Sequence, residues 1–260
     1  MTVAQSGGDY SVIQEAIDAC ANGMTVQIEN GTYAEHLTVN KQITLTAKPG
    51  HTPTIDGSDS QTPAITVTAA ATLRGLTING AHALGAASSQ YWSIADNAAL
   101  SMGDIDFTVC AWVYLDTKVS ARPVCGKGDY SLAKNAEYQL EYSSGVDRLR
   151  FTVGNGTTSG SVDANNLGSP STATWYCVIA WHDATANTIN ISVNDGTTNS
   201  ASYSGGSQNT AGHFVIGTFA TYLTNYFNGR IDNVAIAKSV LTAAQRTAFY
   251  NAGVGTETLT

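Results

Sequence analysis

Residues 175–196 read WYCVIAWHDATANTINISVNDG, and this stretch decides the fold. Two apolar runs, Trp175–Trp181 and Thr188–Val193, flank a small, polar connection. The second run, Thr-Ile-Asn-Ile-Ser-Val, is apolar at every other position, the period of a strand with one face buried. Asn194-Asp-Gly196 closes it with turn residues. The pattern repeats outward in Phe107–Leu115 (FTVCAWVYL), Glu137–Tyr142 (EYQLEY) and Arg148–Val153 (RLRFTV), spaced by Gly, Asn and Ser. These runs predict an antiparallel β-sandwich. Near the end, Thr242-Ala-Ala-Gln245 has the form of a capping box. It predicts a short helix to about Ala252, with Leu241, Ala248 and Phe249 apolar.

Toward the N-terminus the pattern changes. Ser11-Val-Ile-Gln14 is another capping-box pattern, and Val12, Ile13, Ala16, Ile17 and Cys20 recur at helical spacing before Asn22-Gly23. A short amphipathic helix over 11–22 is expected. The runs that follow are short and β-branched: Thr25–Glu29, Leu37–Val39, Ile43–Thr46, Thr54–Asp56, Ile65–Thr68 and Leu73–Ile78. Asn-Gly, Pro-Gly and Asp-Gly turns separate them. Strands this short, recurring at irregular spacing, suit a solenoid better than a sandwich.

Composition narrows the function classes. Hydrophobic residues make up 43% of the 260, enough for real cores, whereas only 12% are charged. That is well below the roughly 25% usual for soluble domains. The formal net charge is −8, from 12 Lys+Arg against 20 Asp+Glu, with no basic run. Phosphate-backbone binding lacks its driving force, so no nucleic-acid partner is expected. No stretch reaches the ~20 apolar residues of a membrane span, so no membrane partner is expected either. The opening MTVAQSGGDY is polar. If the chain begins there, it carries no classical export leader. Cys20, Cys110, Cys125 and Cys177 lack metal-ligand spacing. Buried free thiols are the expected reading, with one bridge among Cys110, Cys125 and Cys177 left open.

Two resemblances join these observations. GGDYSVIQEAIDAC, TVQIENGTYAEHLTVNKQITLTA, TIDG and LRGLTING, within residues 1–80, resemble the N-terminal region of pectin-lyase-like right-handed parallel β-helix proteins. In that family the helix plugs the open N-terminal end. SSQYWSIADNAAL, DFTVCAWVYL, VCGKGD, WYCVIAWHDATANTINISVNDG, FVIGTF and FNGRIDNVAIAKSVLTAAQRTAFYNAG, in order along 84–253, resemble the laminin-G-like, concanavalin-A-like lectin/glucanase group. The expected fold is therefore all-β: a short right-handed parallel β-helix with an N-terminal capping helix, then an antiparallel concanavalin-A-like sandwich (jelly roll). The expected domains are 1–82, for anchoring and oligomerisation, and 83–260, the laminin-G-like sandwich. At about 4.8 Å per coil, three coils make a stub of only about 14 Å. Its last coil must be covered by the second domain, by other subunits, or by both. Short stubs of this type are commonly trimeric, so a homotrimer is expected.

Catalysis is not expected. Enzymes of the β-helix family display carboxylates on middle coils that are absent here. Asp56 and Asp59 read as turn residues, and Glu35-His36 reads as a solvated turn. On the sandwich, Glu137 and Glu141 share a strand face without the third carboxylate of related glycosidases, so a charged solvent face is expected. Calcium is the one cofactor the resemblance implies. Asp232 of GRIDNV and Asp129 of the KGD turn match positions of the family's rim site, although Leu84-Gly-Ala-Ala87 lacks the acidic residue often found there. Calcium binding and a satisfied buried turn at Asp232 remain equal readings. Tyr91, Trp92, Tyr222 and Tyr226 fall in or beside loops, where they would stack on sugar rings or pack at a domain or subunit contact. Trp112 and Trp175 read as core.

The first functional expectation is a non-enzymatic virion protein, such as a bacteriophage capsid decoration, cement or fibre component. It would partner other capsid or tail proteins, with glycans as a further partner for its outward sandwich. The alternative is a secreted or cell-surface carbohydrate-binding or adhesion module. A polysaccharide lyase or hydrolase is the third and weakest reading.

Overall fold

Helix α1 (Ile13–Ala19) shows how the N-terminal segment is held together. It is shorter than the expected 11–22, and Ser11 does not cap it. Val12 sits at the N-cap and has no side-chain acceptor. The carboxylate of Glu35 takes that place, accepting hydrogen bonds from the backbone N–H of Ile13 (2.8 Å) and Gln14 (2.9 Å). Lys41 Nζ closes the other end on the carbonyls of Ile17, Asp18 and Cys20. A carboxylate at the N-terminus and an ammonium at the C-terminus match the helix dipole. Glu35, read from sequence as a solvated turn residue, is thus a helix cap.

The computed structural model describes residues 1–57, 65–67, 69, 72–74, 76–79, 82–84, 91–129, 132–219 and 225–253. The chain divides into two compact units, Met1–Ala83 and Leu84–Thr260. In the first, β1 (Thr2–Val3), β2 (Thr25–Ile28), β5 (Thr44–Ala47) and β8 (Thr72–Arg74) form one parallel sheet in that order. β3 (Thr32–Tyr33), β6 (Thr54–Asp56) and β9 (Thr77–Asn79) form a second, and β4 (Leu37–Val39) pairs with β7 (Ile65–Val67). Alternation places Val26, Ile28, Leu37, Val39, Leu45, Ile55 and Ile65 inside, where they meet Ile13, Ala16 and Ile17 of α1. The period-two pattern of the sequence is therefore a buried stack with Thr facing outward at Thr25, Thr32 and Thr38.

The second unit is built from two sheets. β10 (His82–Leu84) spans the boundary between the units in sequence; within the second unit one sheet runs β21 (Gly229–Ala237), β12 (Phe107–Leu115), β17 (Trp175–Asp183), β18 (Thr188–Val193) and β19 (Asn199–Ser202). The other runs β11 (Trp92–Ile94), β20 (Phe214–Ile216), β13 (Arg122–Gly128), β14 (Ala136–Ser143), β15 (Arg148–Gly154) and β16 (Ser159–Asp163). From β21 to β19 and from β11 to β16 neighbours pair antiparallel, as in β12 with β17 and β14 with β15. Phe107, Val109, Ala111, Val113 and Leu115 point into the sandwich and meet Tyr138, Leu140, Phe151 and Val178. The expected antiparallel sandwich is present.

The opposite face of β12 and β17 is also apolar. Cys110, Trp112, Cys177, Ile179 and Trp181 are covered by Leu241 and by Phe249 of α2 (Ala243–Tyr250). Tyr250 stacks on Trp112 with ring centroids 5.9 Å apart, and the Arg246 guanidinium lies 4.4 Å over Trp181. The capping box opening α2 is present, with Thr242 and Gln245 bonding each other's backbone N–H. All four cysteines are free and buried. Burial pushes the Cys110 and Cys125 thiols up to about 12, which makes them inert packing groups.

Candidate functional site

The edge strand β11 carries the first candidate surface. Trp92 lies opposite Ile216, Ser93 opposite Val215 and Ile94 opposite Phe214. Trp92 is half-buried and packs on the sandwich core, so it anchors the strand. Tyr91, just before it, is exposed, and its ring centroid lies 6.2 Å from that of Tyr226, at 36°. Two residues that the sequence places far apart are therefore neighbours.

The Tyr226 backbone is held from below. Arg122, 5% exposed, donates to the Tyr226 carbonyl (2.8 Å) and to Thr117 Oγ1 (2.9 Å). Asn228 Nδ2 donates to the same Thr117 oxygen at 3.1 Å. Phe227 is fully buried, and its N–H bonds the Gly217 carbonyl at 2.7 Å. Beside Tyr91, the Ser93 hydroxyl is 2.8 Å from His213 Nδ1. The result is a pair of partly exposed rings on a fixed backbone. Tyr222, the fourth aromatic expected here, lies outside the described residues.

The two candidate calcium ligands lie apart in the fold. Asp129 follows β13 and donates its N–H to the Asn135 carbonyl. Asp232 is on β21, opposite Trp112, on the face turned away from the sandwich core. A register shift follows at Asn233, whose φ is +48°, and the Asn233 N–H donates to Asp232 Oδ1 at 2.8 Å. Burial raises the Asp232 pKa, while the Asn233 N–H bond opposes that rise. Calcium takes six to eight oxygen ligands and favours ionised carboxylates. Among the described residues no group of three or more His, Cys, Asp or Glu comes together. Among the described residues Asp129 and Asp232 do not make a calcium site between them.

Glu137 and Glu141 depart from expectation. Both were expected on a charged solvent face, yet they are 0% and 4% exposed. Glu137 Oε1 accepts from Lys127 Nζ (2.6 Å) and from the Thr210 N–H and hydroxyl. The buried Lys127 ammonium also reaches Asp96 Oδ1 (2.8 Å) and the Thr210 carbonyl (2.7 Å). Its hydrogen bond holds the Asp96 carboxyl below the usual carboxylate range. The cluster ties β13 and β14 to the segments carrying Asp96 and Thr210. Strand alternation shows which residues share a face but not what covers that face, and for this reason the sequence reading missed the cluster. Trp175, expected in the core, is only half-buried.

Residues 84–245 match the concanavalin A-like lectin/glucanases superfamily over more than half of the chain. The chain belongs to this superfamily. Solved structures align with the chain at low identity. The binding domain of botulinum neurotoxin serotype G aligns with 66% of this chain and 42% of its own, at 12% identity and TM-score 0.51. A putative carbohydrate-binding protein from Bacteroides ovatus aligns over 65% of this chain and 48% of its own (15% identity, TM-score 0.49). The CBM40 of the Ruminococcus gnavus IT-sialidase, bound to α2,6-sialyllactose, aligns over 65% and 99% (10% identity, TM-score 0.47). The chain thus spans less than half the length of the first two. No curated protein matches the sequence.

Proposed function

We propose that residues 84–253 act as a non-enzymatic glycan-binding module and that residues 1–79 form a short β-helical base that carries it. The observation behind the binding role is the Tyr91–Tyr226 pair: two rings 6.2 Å apart, beside an edge strand, on a backbone fixed by Arg122. Aromatic faces of this kind stack on the apolar faces of sugar rings, and a tyrosine also offers a hydroxyl to the sugar's polar rim. Membership of a lectin/glucanase superfamily supports the same reading. A hydrolytic role has less support, because Glu137 Oε1 is already bonded to Lys127 and Thr210. The parallel ladders β1-β2-β5-β8, β3-β6-β9 and β4-β7 support the β-helical base.

Screening the full chain on a printed oligosaccharide array tests the binding role. Tyr91→Ala and Tyr226→Ala should each weaken any retained glycan by about 1 kcal/mol, the scale of an aromatic contact. Unchanged retention in both variants would remove the pair from the site.

One observation favours a second reading. Among the described residues each parallel ladder ends on a strand with one unpaired edge: β8, β9 and β7. Strand ends of this type invite cover by other copies. On this reading the chain is a homotrimeric virion component whose sandwich faces outward. Light scattering on the purified chain decides it: a stable trimer supports the virion role, and a monomer returns the case to a secreted or surface adhesion module.

A further inference from the structure

We propose a second saccharide-binding platform, on the sheet face that also carries α2, made by Trp175, Tyr114 and Arg230. It rests on the glycan-binding reading for its ligand class but not on the Tyr91–Tyr226 pair, which lies on the other sheet. The three residues form one row across neighbouring strands, since Tyr114 of β12 is in register with Trp175 of β17 and with Arg230 of β21. The Tyr114 and Trp175 ring centroids are 5.4 Å apart at 58°. The Arg230 guanidinium sits over the Tyr114 ring, 4.4 Å from its centroid.

Exposure separates this row from its neighbours. Trp112 and Trp181, on the same face, are 8% and 7% exposed beneath the α2 region, whereas Trp175, Tyr114 and Arg230 are only half-buried. The guanidinium makes no hydrogen bond or ion pair among the described residues. Its planar fork is therefore oriented by the tyrosine ring, and its donors are left unspent. The backbone is built to bring it there. Gly229 approaches the Tyr114 carbonyl so closely that a Cβ would lie 1.9 Å from that oxygen, at φ +148°. Asp232, two residues beyond Arg230 on the same face, adds an acceptor.

Two rings for the apolar face of a pyranose, an unspent guanidinium donor and a carboxylate acceptor match the hydroxyl-bearing edge of a sugar. With 20 acidic against 12 basic residues, the molecule repels polyanions, so the ligand class is a neutral polysaccharide.

Affinity electrophoresis of the full chain through gels containing galactomannan, xyloglucan, mixed-linkage β-glucan or, as the acidic case, polygalacturonate tests the platform. The wild type should be retarded by at least one neutral polymer. Arg230→Met, which keeps the side-chain stem, and Trp175→Ala should each weaken that retardation by about five- to tenfold, the scale of a cation–π or ring contact. Arg230→Met alone carries the test if Trp175→Ala fails to fold. Full retardation in Arg230→Met overturns the platform, and so does retardation by polygalacturonate alone. Loss in Tyr91→Ala with none in Arg230→Met leaves the rim pair standing and removes the platform. The converse pattern removes the rim pair and leaves the platform. No retardation by any polymer removes both. If Arg230→Met changes the mass measured by light scattering and not the retardation, the row is a protein contact and the proposal fails.

Discussion

Single residues decide much of the chemistry, and Lys127 is the clearest case. Its ammonium is fully buried between Glu137, Asp96 and the Thr210 carbonyl. Removing one partner of a buried pair leaves the other charge desolvated and alone, which costs about 3–5 kcal/mol. Lys127→Met should therefore destabilise the sandwich by that amount in urea unfolding at neutral pH. Asp232 should behave in the opposite way. Burial raises its folded-state pKa, so ionisation costs the folded protein as pH rises above the unfolded carboxylate value near 4. Asp232→Asn keeps an acceptor for the Asn233 N–H and removes that cost. It should raise the melting temperature at pH 7 and have little effect at pH 3. A lower melting temperature at pH 7, or a calcium-dependent gain in the wild type that the variant loses, would restore the calcium reading.

Secondary-structure elements show where the sequence could be read and where it could not. The α2 box was legible because Thr242 and Gln245 are three residues apart, so the whole interaction lies inside one short phrase. The sandwich strands were legible because alternation is local. The cap of α1 was not, since its carboxylate comes from Glu35, 22 residues beyond Ile13, and folding brings the two together. The same limit hid the Tyr91–Tyr226 pair as a pair, although both residues stood out as loop aromatics. It also hid the exposed row of Tyr114, Trp175 and Arg230, because a strand's sequence does not say where a covering helix stops. The long-range caps can be tested at this scale. Glu35→Gln and Lys41→Met should each cost about 1 kcal/mol, the scale of a cap or helix-dipole contact. Hydrogen exchange should place the loss in α1 and leave α2 protected. Equal loosening of α2 would contradict the assignment.

Across the whole molecule, charge separates the ways in which this chain could hold a glycan. A site built on ion pairs binds an acidic polymer and weakens as salt shortens the Debye length from about 10 Å at 0.1 M to about 3 Å at 1 M. A net charge of −8 works against that mode from the start. Ring stacking and hydroxyl hydrogen bonds carry no such dependence, because apolar burial does not weaken with ionic strength. Retardation by a neutral polysaccharide should therefore stay constant from 50 to 500 mM NaCl, a range over which a contact spanning several charges loses most of its affinity. The same gels containing duplex DNA should not retard the chain at the lowest salt. A steep fall with salt would mean that the exposed aromatic rows are not the main contact. It would turn attention to the charged groups at the surface, among them Arg230, whose fork the Tyr114 ring already orients.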